Sequence, residues 1–215
     1  MTEDSAADPT SSTRRPRGVV RDGLVGAALE LARIGGPDAV VLREVARMVG
    51  VVPNAAYRHF ADREELLAAV CAAAMGELAA RMAAEVGRVR GKYGEATAAR
   101  RRLHAIGRAY LEFARAEPGL FATAFALPEQ HSYAGDASGR PPMPLDQLRA
   151  VLDELAAAGA LTQRHRAGLE YPIWSTVHGL AMLTGHGPLR DLPEAGRRRL
   201  EERAHAYIDD ALTGP

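Results

Sequence analysis

The chain has 215 residues, 47% hydrophobic and 25% charged, enough for one large or two small folded domains with a sizeable core. Its formal net charge is zero, with 27 basic and 27 acidic residues, which excludes a polycation that holds nucleic acid by bulk charge and requires any such contact to be local. The single cysteine, Cys71, excludes an intramolecular disulfide framework and a cysteine zinc cluster, and its setting in "LLAAVCAAAMGEL" reads as a buried helical position.

Residues 1–17 are rich in Ser, Thr, Pro and charge and are expected to be a disordered arm. An acidic tip over residues 1–13, with Glu3, Asp4 and Asp8, precedes a basic run over 14–21, with Arg14, Arg15, Arg17 and Arg21. The stretch lacks the apolar core of a signal peptide, and no window supplies the 18 apolar residues of a membrane span. A cytoplasmic location with no membrane partner is expected.

Order begins near Gly18. Leu24, Ala27, Ala28 and Leu31 have the spacing of an amphipathic helix, which "GGP" at 35–37 ends. Leu42, Val45, Ala46 and Val49 repeat that spacing over little more than two turns, and Gly50 stands where a helix terminus favours positive φ. A third short helix can start at Pro53, whose missing N–H is harmless in a first turn, and run to about His59. Asp62 with Glu65 three residues on has the form of a capping box, opening a long helix to roughly Gly87.

Three glycines in "GRVRGKYGEAT", residues 87–97, interrupt the periodicity and suggest a boundary between domains or subdomains. Beyond it lie helical patterns over "RRLHAIGRAYLEFARAEP" and "GLFATAFAL", then a Pro- and Gly-rich loop over 128–144. Three more patterns follow: "LDQLRAVLDELAAAG", a long apolar helix over 163–186, and a closing helix over 196–212. Nothing alternates with period two for long enough to be a strand. The expected fold is all-α, with about nine helices and no internal repeat.

Two helices joined by a tight glycine turn over residues 43–60 match the unit in which the second helix enters the major groove of DNA. Its exposed side would carry Asn54, Ala55, Tyr57, Arg58 and His59. Asn and Arg suit adenine and guanine edges, Ala a thymine methyl, and Tyr and His phosphate oxygens. From spacing alone the same segment is equally an ordinary αα corner.

The run Leu42-Arg43-Glu44-Val45-Ala46, Gly50-Val51, Ala56-Tyr57-Arg58-His59-Phe60 and Arg63-Glu64-Glu65-Leu66-Leu67 resembles the N-terminal domain of TetR-family transcriptional regulators, across about residues 18–70. The resemblance implies that Pro53, Asn54, Ala55 and Arg58 face the groove, that Tyr57, His59 and Arg63 hold phosphates, and that Arg43 approaches the backbone. It divides the chain into the arm 1–17, a helix-turn-helix DNA-binding domain 18–78, and a domain 79–215 for effector binding and dimerisation. Val41 and Val52 depart from the family, which has Ser or Thr at these helix N-caps, so a soft reading head is expected.

The second half concentrates Tyr110, Phe113, Phe121, Phe125, Tyr171, Trp174 and Met182 on its helices, and by spacing alone these are either core or a ligand box. "WSTVHG", with "EPGLFATAFA" upstream, is similar to the TetR C-terminal variety named for Trp-His-Gly. That resemblance implies a pocket with Tyr110, Phe113, Phe121, Phe125, Trp174, His178 and Met182. It also implies a homodimer through the last two helices, with Leu200, Tyr207, Ile208 and Leu212 as contacts. The implied function is a repressor on a palindromic operator, released by a small hydrophobic effector. Two rivals remain, a helical protein-interaction module and a helical-bundle enzyme. For the enzyme, no paired Glu-x-x-His, His-Glu-x-x-His, P-loop, dinucleotide fingerprint or nucleophile elbow is found, and no cofactor or metal is expected.

Overall fold

A computed structural model of the chain describes residues 17–127 and 142–213. The acidic tip, Arg14 and Arg15 of the arm, and residues 128–141 of the expected loop lie outside them. Among the described residues the chain forms ten α-helices and one 3-10 turn, with no strand.

Helix α1 (Arg17–Gly35) buries Leu24, Ala28 and Ala32, one side chain per turn, and Arg17, assigned above to the arm, is its first residue. Gly36, at φ 69°, ends it, and a 3-10 turn at Pro37–Ala39 leads to α2 (Leu42–Val49). Gly50 takes the left-handed conformation at φ 73° that closes α2, and Val51 N–H donates to the Ala46 carbonyl at 3.0 Å. Helix α3 is shorter than its expected reach to His59. It spans Pro53–Ala56, after which Arg58 and His59 continue in tight i to i+3 turns.

Helix α4 (Arg63–Gly87) opens as the sequence predicts, with Asp62 Oδ1 accepting from Glu65 N–H at 2.8 Å. The reciprocal bond is displaced by one residue, because the Glu65 carboxylate accepts from Ala61 N–H, at 2.7 Å, rather than from the cap residue itself. By length and composition alone α4 is apolar enough to cross a membrane, as the core helix of a bundle also can be. Half of that apolar window is buried in the bundle, where Leu66, Val70, Ala74 and Leu78 form a single packed stripe.

Helices α5 (Ala96–Ala116), α6 (Pro118–Ala124) and α7 (Pro144–Ala157) pack around α4. The sequence reading of one helix across 163–186 is corrected: α8 (Gln163–Arg166) and α9 (Glu170–Gly185) are separated at Gly168, whose φ of 72° breaks the helical ladder. Ion pairs hold the break against α7, with Arg166 2.7 Å from both Asp153 and Glu170, and Arg149 3.1 Å from Glu170. This division explains ten helices where about nine were expected. Helix α10 (Glu194–Thr213) closes the chain and packs on α9 and α5.

The first four helices and the later ones share one continuous core. At their junction α6 sits directly on the end of α1. A Cβ on Gly119 would lie 2.3 Å from the Ala32 carbonyl oxygen and 2.5 Å from that of Arg33, so only glycine permits this approach. An ion network ties the same point, with Arg33 2.6 Å from Glu117 and 3.1 Å from Glu77, and Arg81 3.2 Å from Glu117.

Candidate nucleic-acid interface and ligand cavity

The α2–α3 corner is held from beneath by Leu42, Val45, Ala46, Ala56 and Phe60, all buried. Above them Arg43, Arg47, Pro53, Asn54, Tyr57 and Arg58 are exposed, while Ala55 and His59 are half-buried. The surface is locally basic in a chain with no net charge. Arg47 is paired with Glu44 at 2.5 Å, whereas Arg21, whose guanidinium lies 4.9 Å above the Phe60 ring, keeps its positive charge.

Arg63 is placed differently from its neighbours. Its Nε donates to the Val40 carbonyl at 2.9 Å and its Nη2 to the Pro37 carbonyl at 2.7 Å, which fastens the turn before α2 to the start of α4. An arginine in that position stiffens the corner whether or not it also meets a phosphate.

Val41 and Val52 occupy the two N-cap positions in extended conformation, and neither side chain makes a cap hydrogen bond. Val41→Ser supplies the missing acceptor with Glu44 already three residues on, and raises stability by about 1 kcal/mol in urea unfolding. The gain from Val52→Ser is smaller, because Ala55 N–H already donates to the Val52 carbonyl at 2.8 Å. An unchanged midpoint for Val41→Ser would show that the first turn of α2 is satisfied without a cap.

In the second half, Tyr110, Phe121, Phe125, Trp174 and His178 form one cluster. The Tyr110 and Phe121 rings meet edge-on at 5.5 Å, and Phe125 lies 4.7 Å from His178 and 6.4 Å from Trp174. Trp174 Nε1–H donates to Tyr110 Oη at 3.3 Å, and Tyr110 Oη lies 2.7 Å from His178 Nδ1. Burial holds the His178 pKa below the usual histidine value, which favours the uncharged ring in this hydrogen bond.

Beside the cluster is a cavity of about 30 Å³ between α4, α5, α7, α9 and α10, walled mainly by Leu103, Ile106, Leu148, Ile173, Val177 and Ile208. Tyr110 and Trp174 reach it, as do His104 and His205. Of the expected ligand set only Tyr110 and Trp174 line the cavity: Phe121, Phe125 and His178 stack behind them in the aromatic cluster, Phe113 is fully buried beneath the Arg81 guanidinium at 5.5 Å, and Met182 is exposed. Of the expected dimer contacts, Ile208 and Leu212 are buried within the chain itself, whereas Tyr207 is 64% exposed.

His104 and His205 were not singled out from the sequence. A signal existed, because His205, Ile208 and Leu212 follow the i, i+3, i+7 spacing that puts them on one buried stripe of α10. Burial comes first among the causes that hold the His205 pKa down, followed by the nearby charges of His104 and Arg108.

Neutral His178 and His205 give folding a pH dependence of definite sign. Both folded pKa values are depressed, so the unfolded chain takes up protons first as pH falls. Stability is therefore intact above about pH 6.5 and declines from there toward pH 5. Urea midpoints across that range test this, and His178→Phe should flatten part of the decline. A level profile would contradict it.

Two family profiles match the chain. One, described as bacterial regulatory proteins of the tetR family, covers residues 24–70, and the other, a tetracyclin repressor-like C-terminal domain, covers residues 103–207. The chain belongs to the TetR family. TetR proteins are DNA-binding transcription regulators rather than enzymes, and the N-terminal match over residues 24–70 contains the exposed α2–α3 corner.

Solved structures agree in fold. A protein of unknown function from Rhodococcus sp. RHA1 is 24% identical, covers 95% of this chain and 100% of its own, and superposes with a TM-score of 0.72. A protein from Shewanella sp. PV-4 assigned to the tetR family of transcription regulators is 18% identical over 90% of this chain and 97% of its own, with a TM-score of 0.63. The TetR family transcriptional regulator PfmR of Thermus thermophilus is 23% identical over 89% of this chain and 97% of its own, with a TM-score of 0.51. No curated protein matches the chain.

Proposed function

We propose that this TetR protein is a homodimeric repressor that binds a palindromic operator and is released from it by a small, largely apolar effector. In this reading residues 18–78 are the DNA-binding domain, residues 79–215 take up the effector and dimerise, and the C-terminal part is of the Trp-His-Gly variety. Pro53, Asn54, Ala55 and Arg58 meet base edges, while Arg43, Tyr57, His59 and Arg63 face phosphates.

One observation carries the reading. Helix α4 runs without interruption from Leu66 and Leu67, buried in the same core cluster as Leu42, Val45 and Phe60 of the corner, to Met82, four turns on, which lines the cavity. A change in cavity size is therefore transmitted along a rigid rod, and the close seat of Gly119 on α1 gives a second rigid point of contact. An effector that favours a wider spacing of the two corners must weaken operator binding, and DNA must weaken effector binding by the same factor.

Dimerisation has its own support. Helix α9 is apolar on nearly all sides, yet Met182 and Leu183 are exposed on it, and Tyr207 is exposed on the adjacent α10. An all-round apolar helix left open to water in one chain favours a second copy as its cover. Two corners about 34 Å apart would then address half-sites one DNA turn apart.

Titrating protein into a fluorescent duplex at increasing salt tests the DNA-binding part. Affinity should fall steeply, by about 0.9 in log–log slope for each phosphate neutralised, and Tyr57→Ala should weaken binding while leaving helix content and dimerisation intact. A flat salt response would instead favour a protein-interaction module.

A further inference from the structure

The cavity contains one polar atom that the fold leaves unsatisfied. His205 Nε2 is sealed from solvent and has no hydrogen-bond partner. The other polar groups around it are occupied: His104 Nε2 is held 3.0 Å from Asp209 Oδ1, and Tyr110 is engaged by Trp174 and His178. Nε2 is therefore a ring nitrogen left to meet whatever enters the cavity.

A glycine lets the ring sit this close to α5: a Cβ on Gly107, which also lines the cavity, would stand 3.0 Å from Nε2. The other walls are mostly apolar side chains. A buried polar atom without a partner is unfavourable, so a guest that supplies one gains at this atom what an isosteric hydrocarbon cannot.

We propose that His205 sets the chemical class of the effector, admitting an apolar molecule that carries one hydrogen-bonding group, such as a hydroxyl, directed at Nε2. This rests on the effector reading above. The cavity, at about 30 Å³, has room for little more than a water molecule. An admitted guest must therefore part α5 from α10, on which His205 stands. Binding at His205 thus moves an element of the proposed dimer face.

Trp174 is the only tryptophan and lines the cavity, so its emission reports a guest directly. The probes are p-cresol and p-xylene, which differ by a hydroxyl in place of a methyl. The parent protein should bind p-cresol about tenfold more tightly than p-xylene, the effect of one net hydrogen bond. In His205→Leu the preference should reverse in favour of p-xylene, because the hydroxyl is then buried without a partner, with p-xylene binding retained. Gly107→Ala, which fills the space at Nε2, should weaken p-cresol more than p-xylene; the helical signal of each variant verifies folding.

Equal affinities in the parent, or a p-cresol preference that survives in His205→Leu, would overturn the assignment to His205 and leave an apolar effector cavity standing. If neither probe perturbs Trp174 in any variant, the cavity takes no aromatic guest, and both this inference and the effector site itself fall.

Discussion

Glu154→Ala lowers the stability of the fold by about 3 to 5 kcal/mol, the largest loss expected from truncating one polar side chain here. Glu154 is 2% exposed on α7, and its Oε1 lies 2.5 Å from Arg102 Nη1 and 3.0 Å from Gly94 N. Arg102 in turn donates to the Gly91 carbonyl at 2.7 Å. Removing the carboxylate leaves a guanidinium that is 13% exposed without its counter-charge and frees the loop between α4 and α5. Breaking one side of a buried pair costs far more than a surface ion pair, which is worth about 1 kcal/mol or less. Urea unfolding monitored by helix content measures the loss. Glu154→Gln should recover part of it, because the amide oxygen still accepts from Gly94 and Arg102. A midpoint unchanged in Glu154→Ala would mean that the loop is held by other contacts.

Arg58→Ala should cost about 1 to 3 kcal/mol per half-site at a matched operator, and so at least about thirtyfold in a symmetric dimer. The side chain is exposed on the corner, so the variant should unfold at the parent's temperature. Competition on duplexes altered at the contacted base pair distinguishes its role. If Arg58 reads a base, discrimination at that position relaxes; if it holds a phosphate, binding weakens equally on every sequence and the salt slope falls by about one. Parent-like affinity and specificity would remove Arg58 from the interface.

The fold was legible wherever a local rule acted on a few adjacent residues. Gly50 closing α2 and Asp62 capping α4 through Glu65 need nothing beyond their neighbours, and both stand as the sequence implies. The break at Gly168 was missed because the apolar pattern of "LEYPIWSTVHGLAMLTG" continues almost to it, and what fixes the break is Arg149 and Arg166 meeting Glu170 across two elements. Those partners are far apart in sequence or hidden in a polar stretch, so periodicity alone does not register them.

The candidate sites divide in the same way. The corner's side chains lie within a few residues of one another, and their exposure follows from helix geometry. In the cavity Tyr110 and Trp174 drew notice as aromatic or motif residues, whereas His205 comes from α10 and acquires its meaning only opposite Gly107 of α5. Phe113 and Met182 have the same residue character as the cluster but point away from the cavity, which shows that side-chain type without a facing partner does not define a pocket.

The most direct test of the regulator reading is to select duplexes from a random-sequence pool with the purified protein at moderate salt and to sequence those retained. A dimer reading DNA through Asn54, Tyr57 and Arg58 enriches a palindrome whose half-sites are centred one helical turn apart, about 10 base pairs. Retention without sequence preference, or no retention, would contradict it and leave the α2–α3 corner as packing in a helical protein.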